Sequence, residues 1–428
     1  MIFSLDVRRA RKGDCLLLHF GTGDDPGVVM IDGGPKAVYE PSLKPRLVQI
    51  RDHRGLDDRP LPIDLLMVSH VDDDHIQGVL DFTRELRETV GSPFAQVRRL
   101  WHNSFDAIIG KDPKELTASV AAEFGAASLE GELPDDATIE GVGDEDGEVA
   151  DSTLKVLASI PQGFQLRLDA DKLDIPLNPQ TSGKLMMNSS QELKLMKGLS
   201  FIVVGPMKPD LQALQDQHDE WLKELKKEGK KPADALAAYV DQSVPNLSSI
   251  VVLAKCGGKT ILLTGDARGD KILEGLEHAG VMSKGGTLKV NVLKVPHHGS
   301  SNNVGPDFFK RILADHYVFS GNGEHGNPER ETLEMLLDAR GSNPFDLHLT
   351  YPVDDIDVER KKDWAKEQAK EVARKQKGGS KEPRSNWAPA KQGLVGLFAT
   401  RPLTNGQKLH IVPGDTPHVI DLLDPLGF

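Results

Sequence analysis

The sequence predicts an α/β fold, and three observations carry that reading. Apolar runs of strand length alternate with stretches of helical periodicity through both halves of the chain. Turn-forming clusters of Gly, Asp and Pro separate the runs. Side chains able to hold a metal or a proton gather where apolar runs end, the edge at which open α/β sheets carry their sites.

The elements follow in order. "CLLLHFG" (15 to 21) and "GVVMIDGG" (27 to 34), joined by "TGDDP", predict a hairpin. Residues 63 to 69 predict a buried strand, and after a charged cluster "IQGVLDFTRELRETV" (76 to 90) sets Val79, Leu80, Phe82, Leu86 and Val90 at mainly helical spacing. "DPKELTASVAAEF" (112 to 124) predicts a helix with Asp112 as N-cap and Pro113 at its first position. Residues 130 to 148 carry nine acids and no base, so 106 to 198 is expected to be a partly acidic insertion between a first half of the core (1 to 105) and a second (199 to 352).

In that second half "LSFIVVGP" (199 to 206) predicts a strand and Pro209 to about Lys226 an amphipathic helix. "SSIVVLAKCGGKTILLTGD" (248 to 266) reads as a hairpin turning at Gly257-Gly258. "LKVNVLKVP" (288 to 296) and "HYVFSG" (316 to 321) are further strands, followed by a helix over 327 to 340. From 353 to 428 the expectation is an extension: a charged helix and linker over 359 to 384, with ten Lys or Arg against five Asp or Glu, then strand-like runs near 393 to 399, 408 to 413 and 418 to 423.

A net charge of -13 over 428 residues excludes a generally basic nucleic-acid-binding surface, so any polyanion site is local. The two cysteines, Cys15 and Cys256, form no CxxC pair and indicate neither a disulfide framework nor a cysteine zinc site. No stretch reaches the roughly 18 to 20 apolar residues needed to cross a bilayer. The expectation is a cytoplasmic protein with no membrane contact.

The chemistry concentrates in "SHVDDDH" (69 to 75), where three carboxylates and two imidazoles follow a buried strand. Like charges this close repel unless something positive sits among them, and a bound metal serves. His70 and Asp72, at i and i+2 of an extended segment, can face one point, and Asp74 and His75 a second. An EF-hand loop does not fit: counted from Asp72, position six, which needs glycine, is Gln77. Three other strand ends carry ligand-capable residues: "LLTGD" with Asp266, "VLKVPHHGSS" with His297, His298 and Ser300, and "MIDGG" with Asp32. "SGNGEHGNP" (320 to 328) adds Asn322 and His325 beside a helix N-terminus able to receive an anionic oxygen. "CGGKT" (256 to 260) is not a phosphate loop, because its first glycine would have to be Leu253.

In this order these residues resemble the metallo-β-lactamase-fold hydrolases. The signature His70-x-Asp72-x-Asp74-His75, "LLTGDA" and "VLKVPHHGS" look most like the branch typified by the soluble domain of the DNA-uptake protein ComEC. The resemblance implies an αββα sandwich and two divalent metal ions, Zn or Mn. His70 and Asp72 would hold the first, Asp74 and His75 the second, Asp266 would bridge them, and His297 or His298 would complete the second site, with His297 preferred as nearer the strand end. The family's third histidine for the first metal has no counterpart, and Asn246 and Ser248 stand near its place.

Asp74, Asp266 and His298 are the candidate catalytic residues, Ser300, Asn322 and His325 the candidate substrate contacts, and Asp32 a supporting residue. The expected activity is a phosphodiesterase or nuclease acting on a nucleic acid or nucleotide through metal-activated water. Hydrolysis of a thioester or lactone is the alternative, as is a non-catalytic metal-binding subunit that meets a protein partner through the insertion or the C-terminal helix.

Overall fold

The computed structural model describes residues 1–104, 107–108, 162–213, 248–414 and 416–428. The expected helix at 112 to 124, the acidic run at 130 to 148, Asn246 and most of the stretch from Pro209 to Lys226 lie outside them.

Two sheets dominate. The first holds β1 (Ile2–Val7), β2 (Leu16–Gly21), β3 (Pro26–Ile31), β5 (Leu65–Met67), β7 (Leu100–Trp101) and β16 (His418–Asp421), in the order β16-β1-β2-β3-β5-β7. Eight strands form the second, β8 (Glu192–Met196), β9 (Leu199–Gly205), β10 (Val251–Cys256), β11 (Lys259–Leu263), β12 (Leu288–Lys294), β13 (Ile312–Phe319), β14 (Asp346–Leu349) and β15 (Lys408–Ile411), arranged consecutively from β15 to β8. A small parallel pair joins β4 (Leu61–Ile63) to β6 (Ala95–Val97).

Side-chain alternation sorts the apolar residues into three layers. Leu5, Leu18, Ile31 and Met67 of the first sheet meet Phe201, Val252, Ile261 and Val318 of the second in the gap between them. Leu17, Val28, Met30 and Leu66 point the other way, onto α1 (Lys44–His53) and α2 (Asp73–Glu88). The outer face of the second sheet, with Leu253, Leu293, Tyr317 and Leu347, packs on α3 (Gly269–His278), α4 (Pro306–Arg311) and α5 (Arg330–Arg340). The layers therefore run helix, sheet, sheet, helix. Strands covered on both faces explain why the sequence shows unbroken apolar runs rather than polar alternation.

The hairpins predicted at 15 to 34 and 248 to 266 are present, the second turning through Gly257 and Gly258 at φ 54° and 77°. The predicted strand 63 to 69 is instead split at Asp64, whose carboxylate accepts from the Val28 N–H at 3.1 Å and from Arg98 at 2.6 Å. The charged helix, α6 (Val353–Gln376), starts six residues before the expected 359.

The run 393 to 399 is a correction. After the short α7 (Pro389–Gln392) it forms a helix, α8 (Leu394–Thr400), not a strand. Its Leu394 and Val395 N–H groups donate to the Asp357 carboxylate at 2.7 and 2.9 Å, and Leu394 and Leu397 bury one helical face. An N-terminal cap supplied from α6 is invisible to local pattern. The runs at 408 and 418 are strands, and each extends an edge of a different sheet. Among the described residues no helix is long and apolar enough to cross a membrane.

Candidate metal centre

The C-terminal ends of β3, β5, β11, β12 and β13 open onto one edge of the sandwich. Asp32 follows β3, and Asp72 to His75 lead from β5 into α2. Asp266 follows β11, His297 and His298 follow β12, and Ser320 follows β13. Two glycines allow these loops to meet. A Cβ at Gly78 in α2 would lie 2.0 Å from the Gly33 carbonyl, and one at Gly13 would lie 1.9 Å from that of Asp74. The loops after β3 and before β2 thus press directly on the first turns of α2, where the Gly33 N–H donates to His75 O at 2.8 Å.

Asp74, His75, Asp266 and His298 each offer a ligand atom within 4.8 Å of the others. His75 Nε2 stands 3.1 Å from Asp266 Oδ1 and 3.9 Å from Asp74 Oδ1. His298 Nε2 lies 3.5 Å from Asp74 Oδ2 and 3.5 Å from Asp266 Oδ1. Yet His75 Nε2, His298 Nε2 and Asp266 Oδ1 are buried without an aligned hydrogen bond. Close approach without hydrogen-bond geometry means that these atoms face a common point rather than one another. Buried polar atoms left this way are costly, and a divalent cation would satisfy all of them.

The other nitrogen of each ring is held from behind. His75 Nδ1 lies 3.0 Å from Asp32 Oδ2, and Asp32 also accepts from the Ser69 N–H at 2.7 Å and the Ser69 hydroxyl at 2.5 Å. His298 Nδ1 lies 3.1 Å from Ser320 Oγ and 3.3 Å from Asp14 Oδ1. Asp14 is in turn ion-paired to the buried Lys294 and accepts from Ser320. Carboxylates set behind metal-binding imidazoles fix the ring orientation and leave Nε2 as the ligand atom.

His297 and His298 occupy the left-handed region at φ 46° and 54°. Each such residue costs about 1 to 2 kcal/mol relative to ordinary helical backbone. The His297 N–H bond to the Gly265 carbonyl (3.1 Å) and the Ser300 N–H bond to His297 O (2.9 Å) hold the turn.

Burial opposes ionisation of Asp74, Asp266 and Asp14, but charged and hydrogen-bonding neighbours override it. His298 and His75 hold Asp74 low, His75 and both following histidines hold Asp266 low, and Lys294 with His298 holds Asp14 low. Burial likewise disfavours the charged imidazoles, yet Asp266 and Asp32 raise His75, and Asp266 and Asp14 raise His298 to about 9. Asp72 goes the other way, pushed up by burial and by Asp74 and Asp266.

The predicted residues do not all fall in the tightest group. His297, the preferred histidine of the pair, sits at its margin, with Nε2 3.7 Å from Asp266 Oδ2 and Nδ1 2.7 Å from Asn303 Oδ1, while the fully buried His298 stands inside it. His70 and Asp72 lie alongside, 3.5 Å apart, with the His70 ring centre 5.6 Å from that of His75. His70 Nδ1 and Nε2 and Asp72 Oδ1 are also buried without hydrogen-bond partners. Ser300 donates to Glu329 at 3.3 Å, Asn322 shapes its own loop through Glu324, and His325 Nε2 meets Lys12 Nζ at 3.3 Å.

Sequence reading missed Asp14, Lys294, Ser69, Ser320 and Asn303. For two of them a signal existed: Asp14 is a lone acid entering an apolar strand, and Lys294 a lone cation at the end of one.

Fold and site together define a layered α/β protein with a buried His/Asp cluster able to hold a divalent metal. No family model matches the chain. Microtubule-associated protein 1A of Rattus norvegicus is 30% identical over 137 residues, 31% of this chain and 5% of its own length. ComE operon protein 3 of Bacillus subtilis (strain 168) is 32% identical over 98 residues, 22% of this chain and 12% of its own length. The chain therefore spans only a small part of these curated relatives.

Among solved structures, a protein of Parabacteroides distasonis provisionally named a metal-dependent hydrolase aligns over 80% of this chain and 97% of its own, at 8% identity and a TM-score of 0.31. A point mutant of CmlA β-hydroxylase aligns over 98% of this chain and 54% of its own, at 9% identity and a TM-score of 0.32. Scores this low leave the topology to be read from the strands themselves.

Proposed function

We propose that this chain is a metal-dependent hydrolase of the metallo-β-lactamase fold that cleaves phosphodiesters in a nucleic acid or nucleotide, using two divalent cations, zinc or manganese. One observation carries the reading: Asp74, His75, Asp266 and His298 bring ligand atoms to one point, and three of those atoms are buried with no hydrogen-bond partner. The donor set of imidazole and carboxylate suits zinc or manganese.

Bound divalent ions would lower the pKa of a water and neutralise charge on the reacting oxygens. The residues of the chain set up that chemistry. Asp32 and Asp14 aim the two imidazoles. Asp266 turns one oxygen toward His75 and His298 and the other toward His297, and in this reading it would be shared between the cations. His70 and Asp72 would hold the first cation, and Asp74, His75 and His298 the second.

A phosphodiester is favoured over a neutral thioester or lactone by the rim. The loops rooted at Asp14 and Ser320, both in contact with His298, meet at their tips through Lys12–His325 and Arg11–Glu324. Lys12 brings a positive charge to this rim, where an anionic oxygen can be received. A cytoplasmic setting fits two buried, unpaired cysteines. A protein partner would meet the insertion or α6.

The test is hydrolysis of bis(p-nitrophenyl) phosphate and of single- and double-stranded DNA by the purified chain with Mn²⁺ or Zn²⁺. Asp266→Ala is expected to abolish cleavage while far-UV circular dichroism stays unchanged. Cleavage of thioesters alone would overturn the substrate class, and a chain that binds no metal would overturn the enzyme reading.

A further inference from the structure

A second group of metal-capable side chains lies on β13, β14, β15 and β16, apart from the loops that carry the candidate centre. His316 and Asp346 are directly paired across β13 and β14, and His348 and His410 across β14 and β15. Val318, which pairs with His348, belongs to the apolar layer between the sheets, so this face looks into the inter-sheet gap. His418 faces it from the first sheet. An otherwise apolar gap is filled here by four imidazoles and a carboxylate.

Neighbouring members approach pairwise at separations close to those of two ligands on one ion. His316 Nδ1 lies 3.1 Å from His348 Nε2 and 3.5 Å from Asp346 Oδ2, and His410 Nε2 lies 3.2 Å from Asp346 Oδ1. Ligands about 2.0 to 2.1 Å from a tetrahedral ion stand roughly 3.4 Å from one another. His410 Nε2 is nevertheless buried without an aligned hydrogen bond. Behind His348, His418 Nε2 meets Nδ1 at 2.8 Å, the position from which a partner fixes a metal-binding ring.

Burial first, then the neighbouring imidazoles, pull His348 down to about 2, and burial also lowers His316 and His418. The side chains of His316, Asp346 and His410 are 23%, 25% and 37% exposed, which provides an entry path for an ion. The donors follow an arc and do not gather within 4.8 Å as those of the main centre do. His410 stacks on His348 with ring centres 4.7 Å apart, so binding of one ion by all four requires the partly exposed His316 and His410 rings to rotate.

We propose that His316, His348, His410 and Asp346 form a second cation site, separate from the hydrolase centre, for an imidazole-preferring divalent transition metal such as Zn²⁺, Co²⁺ or Ni²⁺. The proposal does not depend on the activity assigned above. Co²⁺ titration of the full chain tests it, with bound equivalents counted by elemental analysis and visible absorption reporting ligand geometry. Asp266→Asn, which disables the main centre, is expected to retain a tetrahedral cobalt spectrum. Adding His316→Ala and His410→Ala is expected to remove one equivalent and that spectrum, with far-UV circular dichroism unchanged.

Equal stoichiometry with and without the two histidines would overturn the site and leave the imidazoles as a hydrogen-bonded chain alone. If the triple variant does not fold, His410→Ala by itself, at the most exposed position, is expected to weaken cobalt binding at least tenfold. Unchanged affinity there overturns the site equally.

Discussion

The imidazole of His75 is clamped from behind by Asp32, Nδ1 to Oδ2 at 3.0 Å, so that Nε2 faces Asp266 at 3.1 Å. Asp32 itself sits in the left-handed region at φ 55°, held by two hydrogen bonds from Ser69. The clamp therefore links the β3 loop, the β5 loop and α2 at one atom.

Asp32→Asn keeps the shape but removes the charge and can turn an N–H toward His75. Loss of a carboxylate behind a metal-binding histidine costs about 10- to 100-fold in metal affinity or activity. Competition between the protein and a chromogenic chelator for Zn²⁺ measures it, and affinity equal to the unsubstituted chain would remove Asp32 from the centre.

Lys294 is almost fully buried and paired with the equally buried Asp14. Lys294→Met is expected to destabilise the metal-free protein by about 3 to 5 kcal/mol, because it strands a buried carboxylate without its partner. Pairing it with Asp14→Asn is expected to recover most of that loss, since a neutral pair needs no counter-charge. Urea denaturation of the two variants gives the comparison; equal midpoints would show that the two residues are not coupled.

His102 is buried, and burial with the Arg167 charge pushes its pKa down to about 3 against the opposing effect of a hydrogen bond with the Gly163 backbone. Its ordinary value is near 6.5. Between those values the unfolded chain holds a proton that the folded chain refuses, so stability is lost as pH falls through 6.5. One such proton contributes up to about 1.4 kcal/mol per pH unit. His102→Leu is therefore expected to give a shallower decline than the unsubstituted chain when urea midpoints are compared at pH 7.5, 6.5 and 5.5, and identical declines would refute the account.

Period and turn chemistry made much of this legible from the chain alone. Runs such as 199 to 206 and 248 to 266 become strands because their residues are apolar on both faces, and Gly257-Gly258 supplies the two positive-φ residues that the hairpin turn uses. Asp32, Asp74, His75, Asp266 and His298 could each be picked out because a polar residue at the end of a buried strand needs a reason. The run 393 to 399 defeats local reading because its helix is capped by Asp357, thirty-seven residues before Leu394.

What the amino-acid order determined by itself was which segments are buried and which ligand-capable residues stand at their ends, since periodicity and composition act over a few neighbouring residues. Only the packed structure decided that His298 lies inside the tightest group and His297 at its margin, that Asp14 and Lys294 stand behind them, and that four imidazoles meet between the sheets. Those relations join residues from 31 to 280 positions apart, and they arise from the way two sheets and their flanking helices bury one another.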